Sequence, residues 1–156
     1  MERRNEMVQT KVQWIGDEHF VGIDSSNHSV VLSAAKDGIG VRPSDMLLVA
    51  LSACTSVDVV SIMEKKRQPL SSLEVIASGE KNETPPWAFR KIHLLFRVRG
   101  KKVTPEAIGR AIQLSQEKYC SVGATVRGVA EITTSFEILP EEGDDSAGGH
   151  GPVKVL

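Results

Sequence analysis

Val8, Thr10, Val12 and Trp14 alternate with Gln9, Lys11 and Gln13 in "VQTKVQW", the period of a strand with one covered face. "GDE" breaks that run. "HFVGID" and "HSVVLSA" then read as two more strands joined by a turn at "SSN". "KDGIGVRPSD" is a loop, and the apolar spacing predicts a long helix over 45–67. Ser44 or Asp45 is its expected cap and Pro43 suits its first turn. The first three turns of this helix are apolar nearly all round, which predicts burial on every side. "SSLEVIASGEKN" and "FRKIHLLFRVRG" are two longer strands. In "VTPEAIGRAIQLSQEKYC", Thr104 is the expected N-cap and Pro105 the first helical residue. Ala107, Ile108, Ala111, Ile112 and Leu114 form its apolar stripe, and the chain is expected to leave this helix through Gly123. "AEITTSFEIL" is a last strand.

The order is βββ-α-ββ-α-β, in groups and not in alternating βα units. An α+β fold of antiparallel sheets around a buried central helix is therefore expected. One sheet covers one face of a helix. A helix that is apolar all round needs a second layer, which a second subunit could supply. Residues 1–139 read as a single domain. The acidic, Gly- and Pro-rich segment 140–156 reads as a flexible tail.

Composition narrows the function. Nineteen Lys and Arg against twenty Asp and Glu leave a formal charge of −1, and only 4% of residues are aromatic. That argues against a nucleic-acid surface. "MERRNEMVQTKVQW" has no signal-peptide core, and the run Met46–Ala53 is shorter than a bilayer span. A cytoplasmic protein with no membrane contact is the expectation. The four histidines stand apart and there is no CxxC, so no metal site is expected.

The two cysteines carry the candidate chemistry. Cys54 lies in "LVALSACTSVDVV", with Leu47, Ala50, Leu51, Val57, Asp58 and Ser61 on its helix face. Desolvation and the Asp58 carboxylate one turn on both disfavour a thiolate there. Reactivity needs a cation or donors from elsewhere, and a plain core cysteine is the competing reading. Cys120, in "EKYCSVG", falls at the negative end of the second helix. That position suits a resolving thiol better than an attacking one, or simply a packed cap residue.

"RPSDMLLVALSACTSVDVV" and "PEAIGRAIQLSQEKYCSVGATV", in this order, resemble the two cysteine segments of the OsmC/Ohr family, in its branch with a CTxxDV helix. The resemblance covers roughly residues 8–139. It implies an intertwined homodimer, with two central cysteine helices enclosed by sheets from both chains. It also implies a thiol peroxidase acting on organic hydroperoxides, with Cys54 attacking and Cys120 resolving. An external dithiol would be the reductant, with no metal, haem or flavin. The better-known members activate the thiol with an arginine from the N-terminal sheet and a glutamate before the helix. Residues 8–33 hold no arginine here, so Arg42 and Asp45 are the nearest substitutes. The alternative reading is a non-catalytic protein that binds a small apolar ligand, with Cys54 as a pocket wall.

Overall fold

A computed structural model of the chain describes residues 7–34, 38–141 and 154–155. The chain divides into two compact units between Leu47 and Leu48.

The N-terminal unit is a meander of β1 (Lys11–Gly16), β2 (His19–Ile23) and β3 (Ser29–Ser33), paired antiparallel in the order β1-β2-β3. The β2–β3 turn forms where "SSN" predicts it. The Asp24 carboxylate accepts from the N–H groups of Ser26 (2.8 Å) and His28 (2.9 Å), and Asn27 takes a φ of 64°. Few side chains of this sheet are covered within the chain. Val12, Trp14 and Ile15 are more than half exposed.

Helix α1 (Pro43–Lys65) follows. It begins two residues ahead of the expected start, so Ser44 and Asp45 lie inside its first turn and do not cap it. Its end is built by Arg67, at a left-handed φ of 57°, and by the Gln68 N–H bonding back to Met63 O (3.0 Å). The helix is long and apolar enough to cross a membrane by length and composition, which the count of its longest unbroken apolar run understates. Its burial also departs from expectation. One i, i+4 stripe is buried (Leu51, Thr55, Val59, Met63), while Val49 and Val57 on other faces are 53% and 70% exposed. A single sheet covers a single stripe; Val49 and Val57 on the other faces stay open among the described residues.

The C-terminal unit holds β4 (Ser72–Lys81), β5 (Phe89–Arg99), α2 (Pro105–Leu114), a π turn (Ser115–Tyr119), α3 (Ser121–Val126), β6 (Glu131–Ile138) and β7 (Lys154–Val155). The sheet order is β4-β5-β6-β7. Thr104 caps α2, its Oγ1 accepting from the Ala107 N–H (3.3 Å), and Pro105 opens it. The expectation of purely antiparallel sheets is corrected at one ladder: β5 and β6 run parallel. The helical segment between them returns the chain to the same end of the sheet, as a parallel pair requires. Residues 142–153 of the expected tail lie outside the described residues, and its Lys154–Val155 pair antiparallel with β6.

The core sits in this unit. Ile92, Leu94, Phe96 and Val98 of β5 are 0–1% exposed and pack in one cluster with Ile108 and Ile112 of α2 and Leu51, Val59 and Met63 of α1. On the opposite face of the sheet His93 bridges the hydroxyls of Thr133 and Ser135, each at 2.7 Å. Arg97 pairs with Glu137 (3.0 Å) and Glu74 (3.5 Å).

Candidate active site

The buried stripe of α1 and the segment after α2 bring the two cysteines together. Cys54, half-buried, packs against the core cluster that includes Cys120, which is 3% exposed, near enough to act on its thiol; both are free thiols. The two are 66 positions apart in sequence. The contact arises because Leu51 and Thr55, on either side of Cys54, pack into the core beside the π turn.

That turn is what the apolar spacing missed. Helix α2 stops at Leu114, and Ser115–Tyr119 form one π turn closed by the Cys120 N–H to Ser115 O (2.9 Å). Cys120 is therefore not the last residue of α2. It has extended backbone and is the N-cap of α3, its Sγ accepting from the Gly123 N–H at 3.2 Å. The expected helix exit at Gly123 is corrected likewise, because Gly123 lies within α3. A Cβ at Gly123 would stand 3.3 Å from Cys120 Sγ and 3.6 Å from Leu51 Cδ1, so glycine keeps room for the sulfur.

Two polar links tie α1 to the π turn. Ser115 Oγ, fully buried, donates to Asp58 Oδ2 at 2.7 Å. The carboxylate that the spacing sets against Cys54 is thus engaged by a hydroxyl of the π turn. Gln116 Nε2 donates to Thr55 Oγ1 (3.3 Å), while the Thr55 hydroxyl lies 3.0 Å from Leu51 O and 3.6 Å from Cys120 Sγ. Gln116 Oε1 is buried without a hydrogen-bond partner among the described residues, a cost of about 1–3 kcal/mol for such a group. The rest of Gln116 lines an open cleft of about 670 Å³ with Gln113, Glu117, Arg127, Ile132 and Thr134.

Electrostatics favour a protonated Cys120. Burial pushes its thiol above the ordinary value, the contact with Cys54 pushes the same way, and the bonds from Gly123 and Thr55 pull it partly back. No lysine or arginine among the described residues contributes to that shift.

The remaining sequence candidates belong to the other unit. Arg42 and Asp45 are exposed in the N-terminal unit, Arg42 O accepting from the Met46 N–H and Asp45 Oδ1 from Ser44 Oγ (3.3 Å). Leu51, on the helix face of Cys54, is wholly buried in the core. Thr55, Ser115 and Gln116 were not singled out by the sequence, and Gly123 only as a helix exit. The hydroxyl and amide residues flanking each cysteine were the available signal, but only the π turn sets which of them face the sulfurs.

Comparison with known proteins places this geometry in a family. The family model described as OsmC-like protein matches residues 35–135, and the chain belongs to that family. It is 35% identical to protein YhfA of Escherichia coli K12 over 132 residues, covering 85% of this chain and 98% of the relative. A hypothetical protein of Aquifex aeolicus has a similar structure, with 29% identity, a TM-score of 0.78, and coverage of 88% of this chain and 99% of that one. The organic hydroperoxide resistance protein OsmC of Legionella pneumophila shares the fold at 12% identity, with a TM-score of 0.62 and coverage of 86% and 98%.

Proposed function

We propose that the protein is a two-cysteine thiol peroxidase for organic hydroperoxides, acting as a homodimer in oxidative-stress defence. The observation that carries this reading is the packing of Cys54 beside Cys120 in one cluster, across 66 residues of sequence. Membership of the OsmC-like family supports it, as does the fold shared with the Legionella hydroperoxide resistance protein.

Cys54, the more exposed thiol, attacks the distal peroxide oxygen as its thiolate. The O–O bond breaks, the alcohol leaves with a proton, and Cys54 becomes a sulfenic acid. Cys120 then attacks the Cys54 sulfur; the S–S bond forms, the S–O bond breaks and water leaves. An external dithiol reduces the disulfide by two exchange steps, with no bound cofactor. Such a cycle suits a reducing compartment, the cytoplasm. The second copy covers the exposed faces of α1 and of the β1–β3 sheet, an assembly supported by the apolar residues left open there.

One equivalent of cumene hydroperoxide, followed by peptide mapping, tests the reading. A Cys54–Cys120 disulfide is expected, and a Cys54 sulfenic acid in the Cys120→Ser variant. Two unmodified thiols would overturn it.

Residues 8–33 hold no arginine and Asp58 stands one turn from Cys54, which favours a second reading, a non-catalytic protein binding a small apolar ligand. It requires that Cys54→Ser leave ligand affinity nearly unchanged.

A further inference from the structure

The Thr55 hydroxyl has one proton and two acceptors within reach. Its oxygen already receives the Gln116 amide, so its proton is free to turn either way. Against a neutral thiol, Leu51 O is the better acceptor and the nearer one, at 3.0 Å against 3.6 Å. Against a thiolate the order reverses, because a bond to a charged acceptor is the stronger.

We propose that Thr55 is a catalytic residue of the resolving step, its hydroxyl proton swinging from Leu51 O to Cys120 Sγ as the thiolate forms, and that Gln116 is the positioning residue that holds Thr55 for this. The inference rests on the two-cysteine reading above and names how its second thiol is activated.

The resolving step needs this help. Cys120 must lose a proton although no cation among the described residues contributes to its shift, and Cys54 beside it adds no positive charge. Gly123 N–H is one fixed donor to the sulfur at 3.2 Å; Thr55 is a second that engages on demand. In the balanced step the Cys120 thiolate displaces hydroxide from the Cys54 sulfenic acid, and the proton released by Cys120 completes water. The buried, unpartnered Gln116 Oε1 argues that this amide is kept for its N–H and not for stability. Among the described residues Cys54 is the titratable group that acts on Cys120; Asp58 on α1, Glu117, Lys118 and Tyr119 in the π turn, and Arg127 after α3 lie on the elements that flank it. Asp58 is engaged by Ser115, and Arg127 Nη2 donates to Gln116 O.

The test is made in full-length Cys54→Ser protein, where Cys120 is the single thiol. Iodoacetamide alkylation is followed by intact mass between pH 6.5 and 10.5. Thr55→Val is expected to slow alkylation at pH 7.5 by about three- to tenfold and move the profile to higher pH, with Thr55→Ser restoring it. Gln116→Met shifts it the same way by less. Equal profiles for Thr55→Val and Thr55, or a serine variant as slow as valine, would overturn the proposal. Should the valine variant fail to fold, an unchanged profile in Gln116→Met overturns it instead. Failure of the peroxidase reading shows separately, as absence of the Cys54–Cys120 disulfide in the two-cysteine protein.

Discussion

The two sheets carry similar alternation and meet different fates. In β5, Ile92, Leu94, Phe96 and Val98 are all but sealed from solvent by the helices of their own unit. In β1, Val12 and Trp14 alternate just as regularly and stay 63% and 65% exposed. Alternation reports that one face of a strand is fit to be covered. It carries no information about what covers it. Helix α1 holds the same contrast in a single element, Leu51, Val59 and Met63 sealed and Val49 and Val57 open. The exposed half of the contrast is the part for which we propose a second copy.

The contrast can be broken most forcefully from its sealed side. Phe96→Ala is expected to cost about 3–5 kcal/mol, read as a lower urea midpoint, since the ring is fully buried. Trp14→Ala should leave that midpoint far less changed at concentrations where the chain is monomeric. A similar loss in both would erase the distinction. Next in size, Val57→Asp is expected to weaken self-association by about 2–4 kcal/mol, measured by sedimentation equilibrium, and to leave the helical circular dichroism intact. Unaltered association would place the interface elsewhere.

A smaller effect is expected at Gly123→Ala. The added methyl crowds the Cys120 sulfur from 3.3 Å and should slow peroxide-driven disulfide formation by about tenfold, with little loss of stability. Disulfide formation at the wild-type rate would show that the sulfur has room to spare.

The smallest effect is on pH. The folded pKa of Cys120 is raised, so the unfolded chain ionises first as pH rises. The stabilising contribution is complete below the unfolded thiol pKa and is lost as pH climbs through the folded one. Cys120→Ser should therefore flatten the alkaline limb of the stability curve above about pH 9. An unchanged limb would count against a buried neutral thiol.

Most of the elements were legible because each rests on local rules. Thr104, Pro105 and the stripe Ala107, Ile108, Ala111 and Ile112 define α2 from its own residues. The parallel β5–β6 ladder was not, because pairing direction depends on where the intervening helices return the chain. For the site, the sequence offered both thiols and Asp58. The partners Thr55, Ser115, Gln116 and Gly123 were hidden by the assumption of 3.6 residues per turn running through to Cys120.

That π turn has a further consequence. It stores one residue more than an α-helical path would use, closing on Ser115 O from a position five residues on. The spacing between α2 and Cys120 is thus a matter of chain length before it is one of side-chain type. Removing a single residue from Glu117–Tyr119 would let the Cys120 N–H close on the same Ser115 O as an ordinary α-helical bond. The extra residue is thus room in the chain between Ser115 and Cys120, taken up without moving either end of the bond that joins them.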